Sequence, residues 1–392
     1  MYRHFSGYAP IAMKEVLYVG MYDSGAFQAE KRAYTLSAVN KMNYIIQALQ
    51  KAGYRVRVVS PAWTSLSSGN FAERSTPISE NASLVCCSTF GAKNKLARLR
   101  RVLHSMFWLF RYLMKNTKKG ESVLVYHTVY FSVPVRLAKF FRRFRLILET
   151  EEVYDNATKL PFPMNVMEKK LLAAADSYLF STELLAKSFE TDKPYACCNG
   201  IYAPAKRLAE PLQDGKIHLL YTGIIDFEKR GAFNAVEATQ YLDENYVLHV
   251  LGFGETEKLC ERIDALNKTN ACKIIFDGLR QGDEFTRYCE QCHIGLSTQS
   301  MSGAYLQTSF PSKILSYLSM GLSVVSCYVE CVSACKIGDL VSYYYKDDPQ
   351  EIAKAIRKVS VENGNAVILN RMAQLDDAFC ADMKRLIENE NG

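Results

Sequence analysis

Short runs of β-branched and aromatic residues alternate along the chain with longer stretches whose apolar residues recur every three or four positions. The first pattern predicts strands buried on both faces, and the second predicts helices that cover them. Residues 16–21 read as a strand. Residues 33–52 read as a helix with an apolar line of Leu36, Val39, Met42, Ile45, Ile46 and Leu49, closed by Gly53, and residues 54–60 as the next strand, stopped by Pro61. The alternation continues with helix 95–114, strand 122–127, helix 133–141, strand 146–149, helix 164–175, strand 177–180, helix 183–189 and strand 195–198.

A turn dipeptide, Asn199-Gly200, precedes a polar stretch from Ala203-Pro204 through Pro211 to Asp214-Gly215, which predicts a domain boundary. The pattern then restarts: strand 217–221, helix 232–242, strand 247–251, helix 257–266, strand 273–276, helix 283–289, strand 294–297, helix 311–320 and strand 323–326. Helices 349–359 and 363–389 finish the chain, the last expected to be broken. The fold class is α/β, with parallel sheets wrapped by helices. Domains are expected at 1–205 and 206–375, with a C-terminal helix at 376–392 packing back on the first. Two such units on one linker predict a ligand facing the carboxyl ends of the strands.

Composition narrows the class. The chain has 392 residues, 48% hydrophobic and 23% charged, which excludes disordered, collagen-like and coiled-coil proteins. The apolar stretch near the N-terminus is only six residues long, so no secretory signal is expected. The run 106–110 ends at Arg111, far short of the ~20 residues that span a bilayer. A reducing cytosol is therefore expected, with the twelve cysteines acting as small hydrophobes. Cys289-Glu290-Gln291-Cys292-His293 matches a haem-attachment spacing, and Cys327, Cys331 and Cys335 could join it in a zinc site. Because His293 leads straight into a strand, helix-end and core thiols are the better reading, and no metal is expected.

Charge changes the picture more. The net charge is +7, yet residues 81–148 carry fourteen Lys and Arg against the single acid Glu121. That segment sums to +13 and the rest of the chain to −6. A field of this size points to an anionic partner: phosphate, nucleic acid or an acidic membrane. Nucleic acid would want aromatics interleaved along a groove, whereas Phe107, Trp108 and Phe110 cluster on one basic helix. Such a helix suits the interface of an anionic bilayer, and the alternative is that its apolar stripe packs on the domain.

Gly252-Phe253-Gly254 follows a strand but has Glu257 where a dinucleotide fingerprint has its third glycine. The segment Ser309-Phe310-Pro311-Ser312-Lys313 runs into a helix with a lysine in its first turn and Gly321 as its stop. A helix N-terminus with unpaired N–H groups and an adjacent cation favours an anionic ligand.

These segments together resemble the retaining glycosyltransferases of family 4. Residues 311–325 are similar to the family's P-S-K-x-x-E-Y-x-x-x-G-x-P-V signature. Tyr221-Thr222-Gly223 through Lys229-Arg230-Gly231 resembles its Y-x-G-x-x-x-x-x-K-G strand-loop, and Gly252-Phe253-Gly254, Phe276-Asp277-Gly278 and Asn199-Gly200-Ile201 resemble further turns. The resemblance implies a GT-B fold, two Rossmann-like domains facing each other, the first for acceptor and the second for donor. It implies a nucleotide diphosphate sugar as co-substrate, UDP-sugar favoured, and no separate cofactor or metal. His127, Lys229 and Lys313 are then the expected catalytic residues. Gly223, Arg230, Gly254, Gly278, Ser302, Gly303, Pro311, Ser312 and Ser316 are expected at the donor, and Gly25, Glu149 and Glu152 at the acceptor. The acceptor is expected to be a glycan or lipid-linked glycan at an anionic membrane surface, on the inner face of the cell membrane, with nucleic acid excluded as a partner. Two glutamates of the family pattern are Thr308 and Ser316 here, and an arginine is Ile224. A serine can hydrogen-bond one hydroxyl but cannot accept from two as a carboxylate does. A nucleotide-sugar-binding protein without turnover is the alternative.

Overall fold

The computed structural model describes residues 13–155, 159–301, 310–361 and 364–389. It divides into two compact units. One takes the chain up to Phe180 together with Thr191–Ala196 and the end from Phe379; the other takes Ser181–Glu190 and Cys197–Ala378.

The first unit is built on an eight-stranded sheet in the order β10-β9-β8-β7-β1-β2-β5-β4. In chain order its parts are β1 (Glu15–Val19), α1 (Leu36–Lys51), β2 (Arg55–Ser60), the two-residue pair β3 (Asn70–Phe71) and β6 (Thr89–Phe90), and the hairpin β4 (Arg74–Ser79) with β5 (Ala82–Cys86). There follow α2 (Lys95–Asn116), β7 (Ser122–Tyr126), α3 (Ser132–Arg142), β8 (Arg145–Thr150), α4 (Met164–Ala174), β9 (Ser177–Phe180), α5 (Glu183–Ser188), which falls in the second unit, and β10 (Tyr195–Cys197). Strands β8 and β9 are buried almost throughout, as strands covered on both faces must be. Between Pro61 and Lys93 the apolar pattern predicts no element. The hairpin there is half exposed and antiparallel, so it lacks the continuous apolar runs that betray buried strands.

The second unit holds a fully parallel six-stranded sheet, β13-β12-β11-β14-β15-β16. Its elements are β11 (Ile217–Ile225), α6 (Gly231–Ala238), β12 (Tyr246–Gly254), α7 (Thr256–Leu266), β13 (Lys273–Gly278), α8 (Gly282–Glu290) and β14 (Ile294–Ser297). They continue with α9 (Ser312–Ser319), β15 (Ser323–Cys327), the short α10 (Glu330–Ser333), β16 (Val341–Tyr344), α11 (Pro349–Arg357) and α12 (Gly364–Glu388). The proline-marked stretch read as a linker is pinned to this unit. The buried Glu290 carboxylate accepts the N–H groups of Leu208 (2.7 Å) and Ala209 (2.8 Å), and Ala205 N–H donates to Ser319 C=O (2.8 Å).

Helix α12 is unbroken, against expectation. Ile368, Met372, Leu375, Phe379, Met383 and Leu386 recur at three- and four-residue spacing and are all buried, which one straight helix satisfies. Its end belongs to the first unit: Phe379 stacks on Tyr44, and Glu388 accepts from Tyr54 (2.9 Å).

All twelve cysteines are free, and ten are buried. Cys289 and Cys292 sit at the end of α8 as core thiols, both pushed up by burial. Among the described residues no His, Cys, Asp and Glu group has metal-holding geometry, and no helix is long and apolar enough to cross a membrane.

Candidate functional site

In each sheet the chain starts in the middle and builds outward both ways, so the carboxyl ends of two adjacent strands open at a switch point. In the second unit those strands are β11 and β14.

Strand β11 pairs with β12 along its whole length, Gly223 opposite Gly252 and Ile225 opposite Gly254. Two glycines make this end possible. A Cβ on Gly252 would stand 2.0 Å from Gly223 C=O, and one on Gly223, whose φ is +137°, would stand 2.7 Å from Lys313 Nζ. Lys313 therefore lies directly over the Gly223 backbone. Its ammonium donates to Tyr221 Oη (3.0 Å) and sits 4.1 Å from that ring's centroid. Among the described residues no carboxylate pairs with it. Burial, and then the charge of Lys229, bring its pKa down to about 8.

The loop after β11 carries Lys229. Asp226 accepts the N–H groups of Glu228 (2.8 Å) and Lys229 (3.0 Å), folding the loop over. Ser300 N–H donates to Lys229 C=O (2.9 Å), and Asp347 accepts from Ser300 Oγ (2.6 Å), Met301 N–H (3.0 Å) and Asn234 Nδ2 (3.2 Å). The ends of β11 and β14 are thus one braced platform. Arg230 stands beside it in a left-handed conformation at the head of α6, with its guanidinium on Asn234 Oδ1 (3.3 Å) and over Phe227.

Pro311 is the N-cap of α9 and gives it no side-chain cap, and Ser312 is its first residue. Helix α9 is tied to β11 by Tyr317, whose buried hydroxyl accepts Thr222 N–H (2.9 Å). Ser316 is exposed, and its hydroxyl donates to Ser312 C=O one turn back (3.1 Å). Gly254 ends β12, and Gly278 ends the edge strand β13 with open space beside it. Asp277, next to Gly278, is held by Tyr288 Oη, which also contacts His249 Nδ1 (2.6 Å). The chain runs on through His218 (2.9 Å) to Asp214 (3.1 Å). Ser302, Gly303 and Thr308 lie outside the described residues.

The structure thus groups Gly223, Lys229, Arg230, Pro311, Ser312 and Lys313 around the ends of β11 and β14. Gly254 closes the paired β12, and Gly278 and Ser316 stand further out. Tyr221, Asp226 and Asp347 were not anticipated as site residues. Tyr221 lay inside a quoted motif, but nothing in the sequence tells that its ring is a seat for Lys313. Asp347 follows β16, which periodicity did not reveal.

In the first unit the switch point lies between β1 and β7. His127, expected as a catalytic residue, follows β7 but is only 1% exposed. Its Nδ1 contacts Glu152 C=O (3.2 Å), its Nε2 faces buried Glu168 (3.4 Å), and its ring stacks on Tyr154. Burial lowers its pKa to about 4, so it is neutral at physiological pH. Glu149, expected at the acceptor, is wholly buried in β8 and takes the Tyr18 hydroxyl. Burial, and then Glu151, hold it well above the usual carboxylate range. Both side chains are thus buried within the unit, where the sequence pattern had placed them at open strand ends. Gly25 is exposed in the loop after β1 with φ +81°, its N–H donating to Asp23 (3.0 Å), and Glu152 is half-buried beside His127.

Helix α2 also departs from expectation. Its inward line is Arg101, Ser105, Leu109 and Leu113, so an arginine read as surface charge is buried. Leu96, Leu99, Leu103 and Phe107 form a second line, 55–76% exposed, and neighbouring α3 exposes Val133, Leu137, Phe140 and Phe141.

No protein-family model matches the chain, and no curated protein matches it in sequence. Solved structures do match in fold. A UDP-forming α,α-trehalose-phosphate synthase from Burkholderia xenovorans in complex with glucose-6-phosphate has a TM-score of 0.58 at 12% identity, covering 96% of this chain and all of that one. The lipopolysaccharide outer core galactosyltransferase WaaB, in its apo form, has a TM-score of 0.60 at 12% identity, covering 96% and 100%. A glycosyltransferase from Rickettsia africae has a TM-score of 0.60 at 13% identity, covering 97% and 100%. With its two parallel-sheet α/β units, the chain has the GT-B fold.

Proposed function

We propose that the protein is a retaining glycosyltransferase that moves a sugar from a nucleotide diphosphate donor, UDP-sugar favoured, to a glycan or lipid-linked acceptor in surface-polysaccharide synthesis. One observation carries the reading: Lys313, half-buried and without a carboxylate partner among the described residues, shares the strand-end platform with Lys229 and the head of α9, to which Pro311 gives no side-chain cap. A buried cation left without a counter-anion costs stability, and the natural compensation is an anionic ligand. A diphosphate leaving group fits it, because the negative charge that develops on departure is met by two ammonium groups and helix N–H groups already in place. These groups do the work a bound metal would otherwise do. The platform's carboxylates, Asp226 and Asp347, are spent on bracing its loops, so front-face substitution assisted by the leaving group is the favoured route to retention. The acceptor works with the basic surface of the first unit, whose exposed apolar lines on α2 and α3 suit an anionic membrane surface on the cytoplasmic side.

A thermal-shift series with nucleoside diphosphates tests the donor, since a ligand that binds only the folded state raises the melting temperature. NMR of the anomeric proton in the transfer product tests retention. No shift with any nucleoside diphosphate would end the reading. Ser316 favours a second reading: its hydroxyl is spent on its own helix, at the position where the resembled family has a glutamate. That protein would bind a donor without turning it over, giving the shift but no transfer.

A further inference from the structure

We propose a second ligand site in the first unit, a pocket for the phosphate headgroup of an anionic bilayer lipid. It is a cavity of about 620 Å³ walled by Arg136, Arg143 and Arg145, with Leu137, Phe140 and Val133 on its apolar side. It opens at the C-terminal end of α3 and the starting ends of β8 and β9, the edge of the sheet opposite His127. It is therefore separate from the strand-end site. The proposal rests on the membrane reading above and gives it a specific lipid contact.

Four cations and one acid line the pocket, and the acid is already used: Asp176 takes Lys139 and the N–H of Leu146 (2.6 Å). Arg142, close by, is spent on Thr117 C=O. The guanidinium groups of Arg136 and Arg143 have no partner among the described residues. Arg145 is anchored by Ser122 Oγ (3.1 Å) and Ile387 C=O (3.3 Å), while its Nη2 is buried without an acceptor. Arg145 thus forms part of the fixed wall, and a phosphate oxygen is the acceptor that the unpartnered planar guanidinium groups of Arg136 and Arg143 bind best. The apolar side tells a lipid from a free anion. Phe140 is 75% exposed, and with Leu137 and Val133 it offers a surface for acyl chains beside the pocket. Helix α2 packs against α3 and adds Leu96, Leu99, Leu103 and Phe107.

Vesicle flotation with the full-length protein tests the site, using phosphatidylcholine alone and mixed with phosphatidylglycerol. Removing the two unpartnered pocket arginines, Arg136→Ser with Arg143→Ser, should weaken binding to the mixed vesicles about thirty-fold, two cations at about 1 kcal/mol each. Removing the exposed Arg98 and Arg100 of α2, which lie outside the pocket, should cost clearly less. Circular dichroism melting should be unchanged in both. Equal losses for the two pairs would overturn the pocket in favour of diffuse surface charge. Displacement by millimolar inorganic phosphate would overturn the lipid and leave a free-anion site. Turnover on a soluble acceptor without vesicles should be kept by the Arg136 and Arg143 variant. If no donor is turned over at all, the glycosyltransferase reading fails while the flotation result stands by itself.

Discussion

The two units present the same topological opening and treat charge there in opposite ways. At β1 and β7, titratable groups are turned inward and contacted by the protein, Glu149 by Tyr18 and His127 by Glu152 C=O and Glu168, with His127 Nε2 and Glu149 Oε1 left without a hydrogen bond among the described residues. At β11 and β14, an ammonium group is held against an aromatic ring and glycine backbone, with a second lysine near enough to depress it and, among the described residues, no carboxylate paired with it. The first arrangement is closed off by burial, which drives both groups towards their neutral forms, whereas the second is a cation that something negative would complete. Strand ends at a switch point are thus only an opportunity for binding, and unmet charge distinguishes a site from a well-packed sheet edge.

The largest expected effects separate the two units directly. Lys313→Ala and Lys229→Ala should each lower turnover by on the order of 10²-fold or more, because each removes stabilisation from the departing diphosphate. Glu149→Gln should leave turnover per folded molecule nearly unchanged. Steady-state kinetics with the true donor decide it, and near-wild-type rates for both lysine variants would break the comparison. Gly223→Val comes next. Its side chain would occupy the position of Lys313 Nζ, so nucleoside diphosphate affinity by calorimetry should fall about tenfold or more, some 1.4 kcal/mol.

Acidity supplies a subtler contrast. The folded pKa of Lys313 is below its ordinary value, so between about 8 and 10.5 the unfolded chain binds more protons and stability rises with pH. Lys313→Met should therefore raise the melting temperature of the ligand-free protein at pH 7. In the wild type, diphosphate affinity should decline as pH rises through about 8. Glu149 has the reverse sign. Its raised pKa means the native state keeps a proton that the unfolded chain loses, so stability falls as pH rises above the ordinary carboxyl range, near 4.5. Glu149→Gln should flatten that slope in melting curves recorded from pH 4 to 8. The smallest effect is expected from Ser316→Glu at an exposed position of α9: nucleotide affinity rises a few-fold and folding is unchanged. A loss of binding in the folded variant would show that the donor is held another way.

The elements were legible because a strand covered on both faces must be apolar throughout and a covering helix must repeat at three and four, so 294–297 and 177–180 coincide with β14 and β9. The same rule hid β4 and β5, whose half-exposed edge pairing leaves no such run. Lysines in the loop after one strand and in the first turn of a helix could be picked out as anion ligands from their local setting. Which of them meet could not, since residues 229 and 313 are 84 positions apart in the chain and are joined only when β11 and β14 pair. Burial was the other thing withheld. His127, Glu149 and Arg101 carry polar side chains that a one-dimensional pattern assigns to the surface, and their environment is set by residues far away in sequence, Tyr18 and Glu168 among them. The sequence by itself determined the layers, the order of elements and the excess positive charge, because these follow from local periodicity and composition. Only the tertiary structure decided which charges are neutralised and which wait for a ligand, because that depends on distances between segments that the chain brings together last.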